Sequence, residues 1–391
     1  MYVGIDVSKE KFDACGIGDE GKKLFSLSCS MNRDGFDKFV MQLTKMHAAS
    51  LLVGMESTAS YHIALFSYLT AKGYRVAIIN PLLIANFAKL SLRKTKTDKK
   101  DAFTIAQFVL LRKETLVTGS PHLTELKDLS RRRERLVDEM TALKNDMKRI
   151  LSVTFPELET ITGIFTKSTL RLLGEFPSAH AIAKAGYDAV AAIVTSRSRG
   201  RKSSASVKVL MDTATASVGV ASPAKDMILK QEASLLLALE GQAEEIMKLI
   251  LDLSGEQIKR DAEILTSMQG IGDKTAFNFL IEMGGDIKVF EHDGKLIAAA
   301  GLDPTTYESG KYKGQSKISK RGNRHLRRVI WLMTTKVIIA NPVFRTYYFK
   351  RRKEGLIYKK AVLATAHKLI RVMFSMLVNQ KCFEPERRKE I

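Results

Sequence analysis

The chain opens on a short apolar run, Tyr2-Val3-Gly4-Ile5-Asp6-Val7, that permits few folds. Consecutive apolar residues with β-branched members read as a strand buried on both faces, and such a strand needs a covering layer above and below. Asp6 then sits at the carboxyl end of the strand, at the edge of a sheet. Taken alone it reads as a turn residue or cap. Its meaning depends on what the rest of the chain brings to that edge.

Lys11 to Gly18 and Leu24 to Ser30 read as two further strands around the polar turn Gly18-Asp19-Glu20-Gly21. Asp34 to His47 carries Phe36, Phe39, Val40 and Leu43 at helical spacing, and Leu51 to Met55 is a buried strand ending in Glu56. Ser60 to Lys72 reads as a helix, Arg75 to Asn80 as a fifth strand, and Pro81 opens another helix. Three strands, helix, strand, helix, strand, helix is the order of a ribonuclease H-like fold. The fold class expected is α/β plus α.

In that fold the first and fourth strands are neighbours, so Asp6 and Glu56 meet at one edge. Asp98 and Asp101 open the apolar helix after the fifth strand and share a face at their spacing of three. Each also reads as a first-turn carboxylate favoured by the helix dipole. Four converging carboxylates repel one another, and divalent cations resolve the repulsion. Oxygen donors select Mg²⁺ or Mn²⁺, and two ions about 4 Å apart stabilise both the attacking and the leaving oxygen of phosphoryl transfer. Lys96, Lys99 and Lys100 would flank such a site.

The formal net charge of +21 over 391 residues points to a polyanionic partner, by default nucleic acid. The most apolar run considered, Val329 to Ala340, is broken by Lys336, and the start has no basic segment followed by an apolar one. A soluble cytoplasmic protein is expected. Cys15, Cys29 and Cys382 have no metal-ligand spacing, which fits a reducing compartment.

From Leu126 the apolar residues fall on a heptad through Leu129, Leu136, Met140, Leu143, Met147 and Ile150, with Arg133 at one seam position. Arg131, Arg132 and Arg135 make this segment basic. Phe155 to Val194 is helical but less patterned, and a flexible loop follows with Arg197, Arg199, Arg201 and Lys202. A second long helix, about Ala224 to Ile264, would return beside the first and complete an arm for dimerisation or for gripping nucleic acid.

Around Gly270-Ile271-Gly272 two helices resemble a helix-hairpin-helix, whose tight turn offers backbone N–H groups to a phosphate; a plain helical turn fits as well. From Lys311 to Arg328 there is no acidic residue, and Lys311, Lys313, Lys320, Arg321, Arg324, Arg327 and Arg328 are punctuated by glycine. Arg345 to Lys353 adds a basic patch with Tyr347 and Tyr348. The divisions expected are a catalytic domain over residues 1–118, a helical coiled-coil arm over 119–260 and a mainly helical domain over 261–391.

Several short motifs carry a more specific resemblance: Gly4-Ile5-Asp6-Val7-Ser8-Lys9, Glu56-Ser57-Thr58, Lys96-Thr97-Asp98 with Asp101-Ala102, Gly301-Leu302 with Pro304, Ser309-Gly310, and Ile318 to Asn323 with Leu326-Arg327. In this order the chain resembles the DEDD transposases of bacterial insertion sequences, also described as bridge-RNA-guided recombinases. The resemblance implies that Asp6, Glu56, Asp98 and Asp101 are the metal-binding tetrad of a RuvC-like domain. It further implies that Ser309 is a nucleophile forming a phosphoserine link to DNA, that both domains act together, and that a structured RNA guides donor and target DNA. A homodimer, or a tetramer on DNA, follows from handling several strands. The family has two serines before the glycine, and here Glu308 replaces the first.

On the residues alone, Ser309-Gly310 reads as a turn, and Tyr307, Tyr312, Ser316 and Ser319 compete as nucleophiles. Two other functions also remain open. One is a metal-dependent junction resolvase or nuclease using water, and the other is a non-catalytic nucleic-acid-binding protein. An actin-like ATPase lacks support, because Asp6-Val7-Ser8 has no glycine for close phosphate approach.

Overall fold

A computed structural model describes residues 1–46, 51–56, 61–79, 81–88, 98–114, 116, 121–195, 204–305, 308–309, 312–313 and 317–384. The first part is an α/β layer structure with β1 (Tyr2–Val7), β2 (Lys11–Ile17), β3 (Lys23–Ser30), α1 (Arg33–Lys45), β4 (Leu52–Glu56), α2 (His62–Ala71), β5 (Arg75–Ile79), α3 (Pro81–Ala88) and α4 (Asp98–Leu111). The elements follow the expected order, with ends shifted by a residue or two. Asn32 starts α1 by accepting from the Gly35 N–H at 2.9 Å.

The five strands lie in the order β3-β2-β1-β4-β5. β1 runs antiparallel to β2 and parallel to β4, and β4 runs parallel to β5. The central strands are covered on both sides, as their continuous apolar runs require. On one face Val3, Ile5, Phe12, Val53 and Met55 pack with Phe36, Phe39, Leu65 and Phe66 of α1 and α2. On the other, Tyr2, Cys15, Ile17, Leu52 and Ile79 pack with Ala102, Ile105, Ala106 and Val109 of α4.

Gly4 and Gly54 are register partners in the middle of this second face. A Cβ on Gly4 would lie 2.2 Å from the Ala102 carbonyl oxygen and the Ala106 nitrogen, and one on Gly54 would lie 2.3 Å from Val109 Cγ2. The two glycines therefore let α4 rest directly on the sheet backbone.

The remaining elements are helical except for one hairpin. They are α5 (Pro121–Thr154), α6 (Leu158–Ile161), α7 (Lys167–Glu175), α8 (Ala179–Ala185), α9 (Tyr187–Thr195), α10 (Ser204–Thr215), α11 (Pro223–Leu253), α12 (Glu256–Thr266), α13 (Asp273–Met283) and α14 (Asp293–Ala299). Next come the strands β6 (Pro304–Thr305), β7 (Glu308–Ser309), β8 (Tyr312–Lys313) and β9 (Lys317–Ile318), then α15 (Arg324–Ala340), α16 (Pro342–Lys353) and α17 (Tyr358–Asn379). The chain divides into one compact unit of Met1–Lys127 with Met283–Leu296 and a second of Asp128–Glu282 with Ile297–Ile391.

In the second unit α5 and α11 lie side by side. Leu136, Leu239 and Ala243 form a small core with Met140, Leu143 and Ile246, and Lys144 Nζ meets Glu240 Oε1 at 3.3 Å. Arg133, on the expected seam, is half-buried, and its Nε has no hydrogen-bond partner among the described residues. The second long helix differs from expectation: α11 ends at Leu253 and α12 starts anew at Glu256. Ser254 turns its hydroxyl back to the Ile250 carbonyl, and Gly255 stands at the next N-cap, so this pair interrupts an otherwise helical run.

Sequence reading expected helices here but took Val329 to Ala340 as the most apolar run and passed over α17, which Lys359, Lys360, Lys368 and Arg371 punctuate. Among the described residues it is the one helix long and apolar enough to cross a membrane, and half of that span is buried inside the fold. It packs on α12, α15 and α16, as a core helix does.

Candidate active site

The registers place the predicted carboxylates. Ile5 pairs with Met55, so Asp6 and Glu56 stand one residue further along two parallel neighbours, as expected from the order of elements. Both are half-buried. Side chains alternate along a strand, so Asp6 shares the face of Gly4 and Glu56 that of Gly54, the face under α4. The helix runs antiparallel to β1: Lys113, past its end, lies 5.9 Å from the Tyr2 ring, while Ala102 and Ala106 lie over Gly4. Continuing by two residues to Asp6 leads towards the first turn of α4, which holds Asp98 and Asp101. Asp101 is half-buried; for Asp98 and Lys99 the structure describes the backbone only.

A further carboxylate belongs to this face. Asp13 is the register partner of Asp6 across β1 and β2, is only 3 % exposed, and meets Lys11 Nζ at 3.2 Å. Its position inside a strand pattern, Phe12-Asp13-Ala14, was the available signal, since a buried strand rarely spends a position on a charge. Among the described residues no three His, Cys, Asp or Glu side chains form a group able to hold a metal ion. The donor chemistry at this edge is nonetheless all carboxylate, which suits a hard divalent cation.

Ser309 belongs to the second unit. The glycine-punctuated basic stretch is built on two nested strand pairs. Pro304 and Thr305 pair with Ile318 and Lys317, and further out Glu308 and Ser309 pair with Lys313 and Tyr312. Ser309 and Tyr312 thus form the outermost register pair among the described residues. Side chains of Glu308, Ser309, Tyr312 and Lys313 lie outside the described set, as do residues 306–307, 310–311 and 314–316 entirely.

What roots the hairpin is visible in full. Ser319 N donates to the Asp303 carbonyl at 2.9 Å, Lys320 N to that of Gly301 at 3.0 Å and Asn323 N to that of Ala299 at 2.7 Å. Gly301 has φ +64° and Lys320 φ +54°, and a Cβ on Gly322 would lie 2.1 Å from the Ala299 oxygen. The crossing chains therefore touch backbone to backbone, which explains the glycines of this motif.

Beneath this root lies Glu282, whose side chain is fully buried. It accepts from Arg131 Nε at 2.8 Å and Nη2 at 3.0 Å, and from Asn323 Nδ2 at 2.7 Å. Burial pushes its carboxyl up, but the Arg131 and Asn323 hydrogen bonds with the Arg131 and His325 charges hold it below the usual range. Asn323 Oδ1 also caps α15, accepting from His325 N and Leu326 N. His325 Nδ1 lies 2.6 Å from Glu134 Oε2. Sequence reading missed Glu282, although it is the lone acid in Phe279-Leu280-Ile281-Glu282-Met283.

These contacts divide the predicted nucleic-acid-binding cations. Arg131 is engaged by Glu282, Arg327 Nη1 donates to the Ala300 carbonyl at 2.9 Å, and Arg328 pairs with Glu134 and Asp138. Arg132 reaches Glu139 at 3.8 Å, and Arg324 Nε donates to His325 Nε2 at 3.2 Å. Lys100, Arg135, Lys320 and Arg321 are exposed. Lys96, Arg197, Arg199, Arg201, Lys202 and Lys311 lie outside the described residues, and of Lys99 and Lys313 only the backbone is described.

A transposase model of the IS110 DEDD group matches residues 3–156, and a model described as transposase IS116/IS110/IS902 family matches residues 262–349. The 42 kDa protein of insertion element IS900 from Mycobacterium paratuberculosis is 27 % identical, covering 98 % of this chain and 97 % of its own length. The 43.6 kDa protein of insertion element IS110 from Streptomyces coelicolor is 28 % identical, covering 98 % and 95 %. The pilin gene-inverting protein of Moraxella bovis is 22 % identical over 98 % of this chain and 97 % of its own. The chain is a DNA transposase or recombinase. Within that class it belongs with the DEDD transposases of the IS110/IS116 family, whose chemistry implies a divalent metal ion.

Proposed function

We propose that this enzyme cuts and rejoins DNA through a covalent serine intermediate, with the first unit acting as a ribonuclease H-like, RuvC-like metal domain. The observation that carries the reading is the β1 and β4 register, which sets Asp6 beside Glu56 on the face under α4. Asp6, Glu56, Asp98 and Asp101 hold Mg²⁺ or Mn²⁺, which supplies charge stabilisation to the reacting phosphate.

Ser309 then attacks a DNA phosphorus. The Ser309 Oγ–P bond forms, the P–O bond to one deoxyribose breaks, the serine proton is released, and the departing sugar oxygen takes up a proton. The reverse step, with a different sugar hydroxyl as nucleophile, rejoins strands without an outside energy source. A serine strand held at a rooted hairpin suits this role, and so do the exposed cations Lys320 and Arg321 beside it. A structured RNA from the same element selects donor and target DNA, in a dimer or a tetramer on DNA in the cytosol. An inversion such as the one named for the Moraxella bovis relative requires DNA strands to be cut and rejoined, which supports this reading.

The test is cleavage of the element's own junction DNA with Mg²⁺ and cellular RNA, read on a denaturing gel for a protein–DNA adduct. The adduct is expected in wild type and absent in Asp6→Ala and Ser309→Ala. Cleavage that survives Ser309→Ala but not Asp6→Ala would instead identify a nuclease using water. Normal recombination by protein that has been stripped of RNA would overturn the guide.

A further inference from the structure

At the corner where α15, α16 and α17 meet, four aromatic rings run across the surface of the second unit. Trp331 and Tyr358 lie edge to face at 6.3 Å, Tyr358 and Tyr348 at 6.5 Å, and Tyr348 and Phe349 at 5.4 Å. Interplanar angles of 81°, 77° and 67° mean that the rings do not stack on one another, so ring faces are left over. Phe349 is 55 % exposed, Tyr358 52 % and the neighbouring Ile357 61 %. Large apolar groups grouped at a surface mark a binding site more often than isolated ones do.

The charge around these rings is one-sided. From Asn341 to Lys360 the chain has seven cations, Arg345, Lys350, Arg351, Arg352, Lys353, Lys359 and Lys360, against the single carboxylate Glu354. Glu354 is already taken by Arg351 at 2.7 Å. Lys350, Lys353, Lys359 and Lys360 have no ion pair among the described residues, and all four are exposed. Arg351 lies over the Tyr347 ring at 5.1 Å, and Lys368 over the same ring at 4.7 Å, so the inner cations stiffen the corner while the outer lysines face solvent.

We infer that this corner binds an unpaired DNA strand, the rings stacking with bases and the outer lysines meeting the phosphates. A duplex keeps its base faces covered and would satisfy only the lysines. An unpaired strand satisfies both parts of the surface. Cutting and rejoining DNA exposes such strands, so the enzyme's own reaction supplies the ligand. The assignment needs neither Ser309 nor the metal site, and it stands or falls apart from the proposal above.

Trp331 is the sole tryptophan, so its fluorescence reports on the corner directly. Full-length protein without divalent metal is titrated with a single-stranded DNA oligonucleotide, its duplex, the RNA of the same sequence and anionic vesicles. Anisotropy of the labelled oligonucleotides is read in parallel. Single-stranded DNA is expected to quench Trp331 and to bind more tightly than the other three. Phe349→Ala and Tyr358→Ala are each expected to weaken it about tenfold, the loss of roughly one stacked base, while Tyr358→Phe retains affinity. Replacing Lys359 and Lys360 with Ala is expected to lower the salt slope by about 0.7 per charge without abolishing the quench. Duplex, RNA or vesicles matching the single strand would overturn the inference, and so would ring substitutions that leave single-strand affinity unchanged.

Discussion

The sheet edge and the hairpin root place their candidate groups by opposite means. At the sheet edge, Asp6 and Glu56 are delivered by strands whose ends and neighbours follow from local patterning, and each stands at most a few residues from the glycine that seats α4. At the root of the hairpin that carries Ser309, a buried carboxylate on α13 is joined to an arginine on α5, 151 residues from it in sequence, and to an asparagine at the start of α15. The first arrangement is held mainly by apolar packing, the second by a polar network. Polar networks at low dielectric are costly when half satisfied, so the two regions should fail differently.

The sharpest way to test this contrast is Glu282→Ala. It strands Arg131 and removes the Asn323 hydrogen bond to the carboxylate, and breaking a buried charge pair costs about 3–5 kcal/mol. Because the Arg131 side chain is 38 % exposed, the lower end of that range is expected in urea unfolding. A loss below about 1 kcal/mol would mean that the root is not held by this network.

Gly4→Ala attacks the other region through packing. Its Cβ would meet the α4 backbone at 2.2 Å, so a cost of about 2–3 kcal/mol is expected. Strand cleavage should fall along with stability, because α4 must lift from the edge that carries Asp6.

Divalent metal provides the next comparison. At a hundredfold excess over Kd, bound Mg²⁺ should stabilise wild type by about 2.7 kcal/mol, seen as a raised Tm that Asp6→Asn and Glu56→Gln abolish. Glu282→Gln should leave that increment intact. A metal-induced shift that persisted in Asp6→Asn would place the ion elsewhere.

The smallest expected effect comes from α11. Glu232 on α11 is pushed up to about 7, first by burial and then by Asp146 beside it. A carboxyl with a raised folded value binds its proton more tightly in the fold, so stability falls as pH rises from the unfolded value near 4.5 to about 7. Glu232→Gln should flatten this dependence and gain about 1 kcal/mol at pH 8 once solvent screening is allowed for. Thermal unfolding at several pH values measures it.

Legibility follows the same division. Strand alternation, Pro81 at a helix start and Asp98 with Asp101 at a helix opening are local signals, and the structure follows them. Asp13 was within reach, since a charge inside a buried strand calls for a reason. The hairpin was not, because its strands are two residues each and carry no period that could be recognised. Arg131, Arg327 and Arg328 illustrate the same limit: a cation in a basic run looks alike whether it faces solvent or a partner within the fold.

The amino-acid sequence by itself determined the order of strands and helices, the four carboxylates at their ends and the basic balance, because periodicity, turn chemistry and charge act over a few residues. Tertiary structure alone decided that Asp13 shares the face of Asp6, that Glu282 draws Arg131 and Asn323 together beneath the serine hairpin, and that four aromatic rings meet at one surface corner. Those pairings join residues far apart in the chain, and only the closing of the fold brings them within hydrogen-bonding or van der Waals distance.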